Sequence, residues 1–168
     1  MARTPQFYTA GYREGIKKTG VAIEMFGMDD FLRELRRAPK ETRKAVSQGS
    51  KVIAETVVVR VKRRSRQVFH ASRYQTIIPS MRAVQGTVPK IKAGGAKKAA
   101  VSRKNRPASG DLFFGLEFGG GSTPTTRQFP RHRGKKGYVL FPTIIKMHGF
   151  IKKEYTDQIE RVLKGLTR

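Results

Sequence analysis

The distribution of charge constrains the fold of this chain more than any other feature of its sequence. The 168 residues include 36 Lys and Arg against 12 Asp and Glu, which gives a formal charge of +24. No acidic residue lies within residues 56–110 or within residues 118–153, so no ion pair can form inside either stretch. A compact chain with this charge repels itself, and a polyanion or an acidic protein surface would relieve the repulsion. The sequence therefore predicts a macromolecular partner.

The length and composition predict one domain with basic extensions. A chain of 168 residues can enclose a substantial core, but its hydrophobic fraction of 38% lies below the roughly 45–50% of typical globular domains. We expect an extended basic N-terminal arm at residues 1–20, a single domain at residues 21–168 and a flexible basic loop at residues 93–110. The absence of cysteine excludes disulfides and thiolate metal sites and fits a reducing cytoplasmic origin. No apolar run is long enough for a membrane span or a secretory signal, so we expect a soluble protein without membrane contact.

The N-terminal part of the domain predicts a short strand, over residues 21–26, followed by two helices. Asp29 or Asp30 is expected to cap the first helix. Pro39 is expected to end it, because proline is tolerated in a first helical turn but not in the interior, and a second helix is expected from about residue 40. The buried positions predicted are Phe31, Leu32 and Leu35 in the first helix, and Val46, Ile53, Val57 and Val61 in the second.

The C-terminal part predicts shorter elements and one more helix. Residues 81–84 indicate a short helix, and residues 86–92 indicate a strand. Residues 138–141 (YVLF) predict a strand that Pro142 ends, and a final helix is expected from Thr143. The apolar positions of that helix are Ile144, Ile145, Phe150, Ile151, Ile159, Val162 and Leu163.

The sequence lacks the pattern of a catalytic, metal or cofactor site. The three histidines, His70, His132 and His148, are far apart and have no paired carboxylates at metal-ligand spacing. No window matches the nucleotide-binding loop G-x-x-x-x-G-K-[ST]. Residues 134–137 (GKKG) match the phosphate clamp of KH domains, but they precede a predicted strand, so a hairpin turn is the better interpretation. We expect a non-enzymatic protein with no metal, cofactor or small-molecule substrate.

Two basic segments are candidates for contact with nucleic acid, residues 93–110 and residues 123–136 (TPTTRQFPRHRGKK). The second combines five cations with Phe129 and contains no acid. Arginine can grip a phosphate with two hydrogen bonds or stack on a ring, although a solvated or subunit-facing loop explains the segment equally well. Because zinc-finger and RNP motifs are absent, any DNA contact should be independent of base sequence. The residues predicted to contact DNA are Lys97, Lys98, Arg103, Lys104, Arg106, Lys135 and Lys136.

The order of the motifs resembles a known family. The segment DDFLRELRRAPKETRKAV is followed by GLEFGGG, a proline-containing loop, GYVLFPTIIK and a terminal helix. Over about residues 21–166, this order resembles the head-to-tail joining proteins of long-tailed bacteriophages, also called neck or tail-completion proteins, in the form common among phages of actinobacteria. The residues that carry the resemblance are Glu117, Phe118, Gly119, Pro124, Thr125, Thr126, Arg127, Gln128, Phe129, Pro130, Tyr138, Phe141 and Pro142.

The resemblance implies an α+β fold, in which a small, mainly antiparallel sheet packs against a helical pair and a C-terminal helix. In that family a strand precedes the E-F-G turn. The implied function is that of a structural protein of the virion neck, made in the host cytoplasm. Its subunits would form a homo-oligomeric ring between the connector or stopper proteins and the tail terminator or tail tube, joined by strand edges and arms.

The resemblance also implies where the surfaces of the protein would make contact. Most of the charge would face acidic neighbouring proteins, and a minority would face virion DNA. The residues expected at subunit or partner contacts are Glu117, Phe118, Gly119, Arg127, Phe129, Arg131 and Arg133. Two alternative functions fit the same sequence: a sequence-nonspecific nucleic-acid-binding protein of ribosomal or nucleoid type, and the tail terminator itself, which is built of similar elements.

Overall fold

A computed structural model describes residues 28–69, 81–94, 109–120, 129–133 and 136–166. Strands β1 and β2 pair as a two-stranded antiparallel sheet, and the other described elements are helices. The fold is therefore α+β and mainly helical, which confirms the predicted class. The elements are α1 (Met28–Arg37), α2 (Lys40–Val68), β1 (Arg82–Val84), β2 (Lys90–Lys92), α3 (Ser109–Phe118) and α4 (Leu140–Leu166).

The elements belong to two compact units. Unit 1 comprises Met1–Glu55, Ala83–Ile91 and Gly149–Arg168, and unit 2 comprises Thr56–Arg82 and Lys92–His148. Helices α2 and α4 each contribute one segment to each unit. Outside the described residues lie the predicted arm at residues 1–20, the predicted strand at residues 21–26 and residues 95–108 of the predicted loop.

Pro39 separates α1 from α2, as the sequence predicts. The proline ring cannot continue a helical interior, but the Pro39 carbonyl oxygen accepts a helical hydrogen bond from the Arg43 N–H at 3.1 Å. Helix α1 begins at Met28, so Asp29 and Asp30 lie in its first turn and the predicted cap is wrong. Acidic residues are favourable near the positive end of the helix dipole. An acidic pair in the sequence therefore fits a capping position and a first helical turn equally well.

The apolar stripe predicted along α2 is confirmed as its buried face. Spacings of four and seven residues return to one side of a helix, so these positions are covered together. Their burial outweighs the low helix propensity of the β-branched residues in this run. The stripe, in which each side chain is at most 6% exposed, is Val46, Ile53, Val57 and Val61. In α1, Leu35 is buried, and Phe31 and Leu32 are half-buried.

In unit 1, a single carbonyl oxygen ties the turn between β1 and β2 to two helices. The Thr87 carbonyl accepts hydrogen bonds from the Ser50 hydroxyl of α2 at 2.9 Å and from the Tyr155 hydroxyl of α4 at 2.6 Å. Burial raises the pKa of Tyr155 to about 12. The tyrosine therefore keeps the proton that it donates at neutral pH.

Helices α2 and α4 also meet in unit 1, at Gly49. A Cβ on Gly49 would collide with the side-chain amide of Gln158. The Gln158 amide nitrogen donates to the Val46 carbonyl at 2.7 Å, so a buried polar side chain bonds directly to the backbone of α2. Glycine lowers helix stability by about 1 kcal/mol relative to alanine, but only glycine leaves room for this approach.

Several predictions for the C-terminal part are wrong. Residues 82–84 form a strand rather than a helix, because pairing with β2 satisfies their backbone. Residues 138–141 do not form a strand: α4 begins at Leu140, before the predicted Thr143, so the element that follows the segment GKKG is a helix. Pro142 lies in the first turn of α4, where its missing N–H would have no helical partner in any case.

The strand that the resemblance implies before the E-F-G turn is also wrong, since this segment is helix α3. An apolar run of this length fits a buried helix as well as a buried strand, so the sequence pattern does not separate the two. The apolar positions of α4 differ in burial. Ile144 and Ile151 are buried, Ile159 and Val162 are half-buried, and Ile145, Phe150 and Leu163 are exposed.

The substitution Gly49→Ala should lower the free energy of unfolding by about 1–3 kcal/mol, because the added methyl group displaces Gln158 from its backbone bonds. The matched control is Gly149→Ala in α4, where nothing lies within 4 Å of the added Cβ. That substitution should raise stability by up to about 1 kcal/mol through helix propensity. Urea denaturation followed by circular dichroism measures both, and equal effects of the two substitutions would contradict the close approach at Gly49.

Candidate interaction site

Glu117 lies where the motifs that carry the resemblance meet. It belongs to the last turn of α3 in unit 2, and its side chain is 1% exposed. A carboxylate in this position is unusual, because burying a charge is costly unless hydrogen bonds compensate for the lost water. The compensation comes from the segment that begins α4.

The Glu117 carboxylate caps the N-terminus of α4. Its Oε2 accepts hydrogen bonds from the Val139 N–H at 3.1 Å and the Leu140 N–H at 2.9 Å, and its Oε1 accepts one from the Phe141 N–H at 2.9 Å. The first N–H groups of a helix have no partner within the helix, so an outside acceptor must satisfy them. The next residue, Pro142, has no N–H. The carboxylate and these three N–H groups are named the Glu117 junction.

The cap comes from a distant residue because the local one cannot provide it. Val139 precedes the first residue of α4, a position that Ser, Thr, Asp or Asn usually occupies, and its aliphatic side chain has no acceptor. Glu117 supplies the acceptor from 22 residues away. Its negative charge is unfavourable at the end of its own helix and favourable at the start of α4.

One glycine makes room for the Glu117 junction, and a second makes room for the backbone that passes the E-F-G turn. Gly137 has a φ of +61° and Gly119 has a φ of +80°, a backbone region that other residues rarely adopt. A Cβ on Gly137 would collide with Oε1 of Glu117, and a Cβ on Gly119 would collide with the carbonyl of Arg131. A larger residue at position 137 would therefore displace the Glu117 carboxylate, and a larger residue at position 119 would displace the Arg131 backbone.

Residues 129–133 run beside the end of α3. The Gly120 N–H donates to the Pro130 carbonyl at 2.8 Å, and the Arg133 N–H donates to the Phe118 carbonyl at 2.8 Å. These bonds pair the backbone on both sides of the E-F-G turn. The loop is therefore held by main-chain contacts, which do not depend on its side chains.

Aromatic rings pack around the same turn. The Phe129 ring lies against Gly115, where a Cβ would collide with it. The Phe118 ring lies 5.3 Å from the ring of Phe141, measured between centroids. These contacts bury apolar surface between α3, the loop and the first turn of α4, and so support the hydrogen bonds of the Glu117 junction.

Burial controls the ionisation of Glu117. Loss of water raises the pKa of the Glu117 carboxyl above its ordinary value of 4.5, while the three N–H bonds and the Arg64 guanidinium favour the charged form and limit the rise. Arg64 also donates from Nε to the Tyr138 carbonyl at 3.0 Å. Arg64 thereby links α2 to Tyr138, the residue before the capping position of α4.

Tyr138 gathers cationic and aromatic side chains at the surface of unit 2. The guanidinium carbon of Arg133 lies 5.1 Å from the centre of the Tyr138 ring, in a cation–π contact. The Tyr138 hydroxyl donates to the Arg131 carbonyl at 2.7 Å, and the Phe69 ring lies 6.5 Å from the tyrosine ring. Together with Arg64, these residues are named the Tyr138 cluster.

The structure brings together most of the residues predicted at partner contacts. Glu117 is buried and bonds within the chain, whereas Arg131 and Arg133 are exposed. Phe118, Gly119 and Phe129 are half-buried. Of the residues predicted to contact DNA, Lys136 is described and is exposed. Outside the described residues lie Lys97, Lys98, Arg103, Lys104, Arg106, Arg127 and Lys135.

Sequence reasoning missed the parts played by Arg64 and Gly137. Arg64 is one of several cations in α2, and nothing in the pattern singles it out. A signal for the cap did exist: a helix that starts with an aliphatic residue at its capping position and a proline in its first turn needs an acceptor from elsewhere. Because the chain has only 12 acidic residues, there are few candidates for this acceptor.

In the part of the chain that the structure describes, no group of three His, Cys, Asp or Glu residues is placed to hold a metal ion. None of the described helices is long and apolar enough to cross a membrane. Neither a protein-family model, nor a curated protein, nor a solved structure matches this chain.

The substitution Glu117→Ala should lower the free energy of unfolding by about 3 kcal/mol or more, because it leaves three buried N–H groups without an acceptor. Glu117→Gln should cost about 1–3 kcal/mol, because the amide retains one acceptor oxygen and presents an NH₂ group to the remaining donor. Urea denaturation at pH 7 measures both. The matched control is Glu160→Ala, an exposed acid on α4, which should change stability by less than about 0.5 kcal/mol.

The stability of the protein should also depend on pH through Glu117. Because its folded-state pKa is raised, the folded chain holds the proton to higher pH than the unfolded chain does. The resulting stabilisation is fully present below the unfolded pKa and is lost as the pH rises through the folded pKa. The stability difference between the natural protein and Glu117→Gln should therefore shrink as the pH rises from about 4 toward neutrality. A difference that grows over this range would show that the pKa is lowered instead.

Proposed function

We propose that this chain is a structural subunit of the neck of a long-tailed bacteriophage, where a homo-oligomeric ring joins the capsid connector to the tail. The observation that supports this best is that the E-F-G turn contacts the described parts of two other motifs that carry the resemblance, residues 129–133 and residues 138–142. The buried Glu117 carboxylate depends on the N–H groups of residues 139–141 as donors. The Arg131 backbone passes so close to residue 119 that only glycine fits there. Each motif is short, but in this fold each depends on the others.

Their mutual dependence strengthens the resemblance. Short motifs that match by chance have no reason to contact one another across 20 or more residues of chain, whereas motifs inherited together form one structural module. The α+β class also agrees with the fold that the resemblance implies. Helix α3, in place of a strand before the turn, is the main departure from the family pattern.

The geometry suits an assembly role. Main-chain hydrogen bonds and aromatic packing hold residues 129–133 in place, so binding a partner requires little further ordering of the backbone. The loop presents Arg131 and Arg133 to solvent, while its anchoring contacts face inward. A loop with a fixed backbone of this kind suits a contact with a neighbouring connector or tail protein, because docking costs little further backbone entropy.

Loss of the gene should separate heads from tails. If the chain is a neck subunit, deleting the gene should leave DNA-filled heads and unattached tails in electron micrographs, and supplying the natural protein should restore joined particles. Glu160→Ala should restore them as well, whereas Glu117→Ala should fail because its fold is destabilised. Normal virions in the absence of the gene would refute the proposal.

The position of the protein in the particle separates a neck subunit from a tail terminator. Antibody labelling of intact particles should place it next to the capsid connector. Labelling on detached tails, with none on heads, would favour the terminator.

A further inference from the structure

Unit 2 carries most of the excess positive charge of the described residues. Within them it contains 11 Lys and Arg residues and two acidic residues, Asp111 and Glu117, whereas unit 1 contains 12 Lys and Arg residues and eight acidic residues. Unit 1 has cations and acids in more equal number, and its α1 carries exposed ion pairs such as Arg33 with Asp30. The excess of positive charge is therefore mainly a property of one unit, and it needs an explanation there.

The fold removes an acid from the surface of that unit. The Glu117 carboxylate is buried, and both of its oxygens accept backbone hydrogen bonds. It therefore cannot pair with an exposed cation. Arg64, which is half-buried, still interacts with this carboxylate, but the exposed cations Arg131, Arg133 and Lys136 form no ion pair with it.

The Tyr138 cluster holds several of these cations in one place. Arg133 lies over the Tyr138 ring, the Arg131 backbone is fixed by the tyrosine hydroxyl, and Arg64 is fixed by the tyrosine carbonyl. Lys136, two residues before Tyr138, is exposed. The loop and the end of α2 thus contribute cations to a common surface.

Helix α2 extends this surface. Arg60 lies one turn before Arg64 on the same helix. Arg63 lies three residues after Arg60, so these two side chains are neighbours on the helix surface. Both Arg60 and Arg63 are exposed. Like charges at these spacings destabilise a helix by a few tenths of a kcal/mol each, and a bound polyanion would reverse the sign of that effect.

We infer that this surface of unit 2, formed by Arg60, Arg63, Arg131, Arg133 and Lys136, binds the phosphate backbone of duplex DNA without regard to base sequence. Its described cations are mainly arginines, whose planar guanidinium groups bind phosphate oxygens with two hydrogen bonds. A duplex carries one negative charge per about 1.7 Å of its axis, which suits a surface whose five named residues are all cations.

The aromatic residues of the cluster argue for backbone contact. Binding of single strands relies on exposed rings on which bases stack. Here the Tyr138 ring is already covered by Arg133 and lies beside Phe69, so it is engaged within the chain. Protein interfaces draw their affinity from apolar or aromatic anchors, and the rings of this cluster are likewise packed internally. Phosphate recognition uses the groups that are left exposed.

Fluorescence anisotropy with a labelled 30-base-pair duplex tests the inference on the purified full-length protein at several salt concentrations. The double substitution Arg131→Gln with Arg133→Gln should weaken binding at 0.1 M salt by about tenfold or more, and it should reduce the slope of log K against log salt by about 2, since each phosphate contact contributes about 0.9. The matched control, Arg36→Gln with Arg43→Gln, removes two exposed arginines from unit 1. It should change the slope by less than about 0.5.

A second variant protects the test against loss of folding. Arg131→Gln with Lys136→Gln leaves the contact between Arg133 and Tyr138 intact and should give the same change in slope. Thermal melts show whether each variant folds. Equal effects of the unit 1 and unit 2 variants would overturn the inference, because they would show a response to net charge alone.

Two further probes separate DNA from other partners. Tighter binding to a single strand of equal length would overturn the assignment to a duplex, and polyglutamate binding as tight as duplex binding would favour an acidic protein partner instead. The inference does not depend on the proposed neck function. Deletion of the gene could abolish head-to-tail joining although the purified protein fails this binding test, and the reverse outcome is equally observable.

Discussion

The carboxylate of Glu117 connects the end of one helix to the beginning of another. Helix α4 starts with an aliphatic residue at its capping position, so its first N–H groups depend on an acceptor from elsewhere in the chain. Glu117 satisfies three of them, and Pro142 removes the need for a fourth. Gly137 is required by the close approach of this carboxylate, and Gly119 is required by the close approach of the Arg131 backbone. The loop that displays Arg131 is held in place by the same arrangement.

The Glu117 junction also shapes the electrostatics of the surface. A carboxylate that is used to cap a helix is withdrawn from solvent, and it no longer offsets the cations displayed around it. Unit 2 therefore keeps Glu117 in its interior and displays cations such as Arg131, Arg133 and Lys136 at its surface. A role in assembly and a contact with DNA draw on different parts of this arrangement: the fixed backbone of residues 129–133 in the first case, and the exposed guanidinium groups in the second.

Parts of the site could be predicted from the sequence, and the physical reason differs from part to part. The motif around Glu117 and the cations at Arg131 and Arg133 were identified because residue type and order are visible in a sequence. The cap was not, because it joins residues that lie 22 apart and depends on how α3 and α4 approach each other. Arg64 was missed for the same reason, since its contact with Tyr138 spans 74 residues.

The sequence by itself determined the helix pair α1 and α2, the break at Pro39 and the buried stripe of α2, because helical periodicity and the chemistry of proline act over a few residues. It also determined the excess of positive charge, and the family resemblance implied the α+β class that the structure has. Only the tertiary structure decided that residues 109–118 are helical and that Leu140 begins a helix. Apolar runs of this length fit a strand or a helix, and the choice rests on which backbone groups find partners. The place of Glu117 was decided in the same way, by donors that no local residue could satisfy.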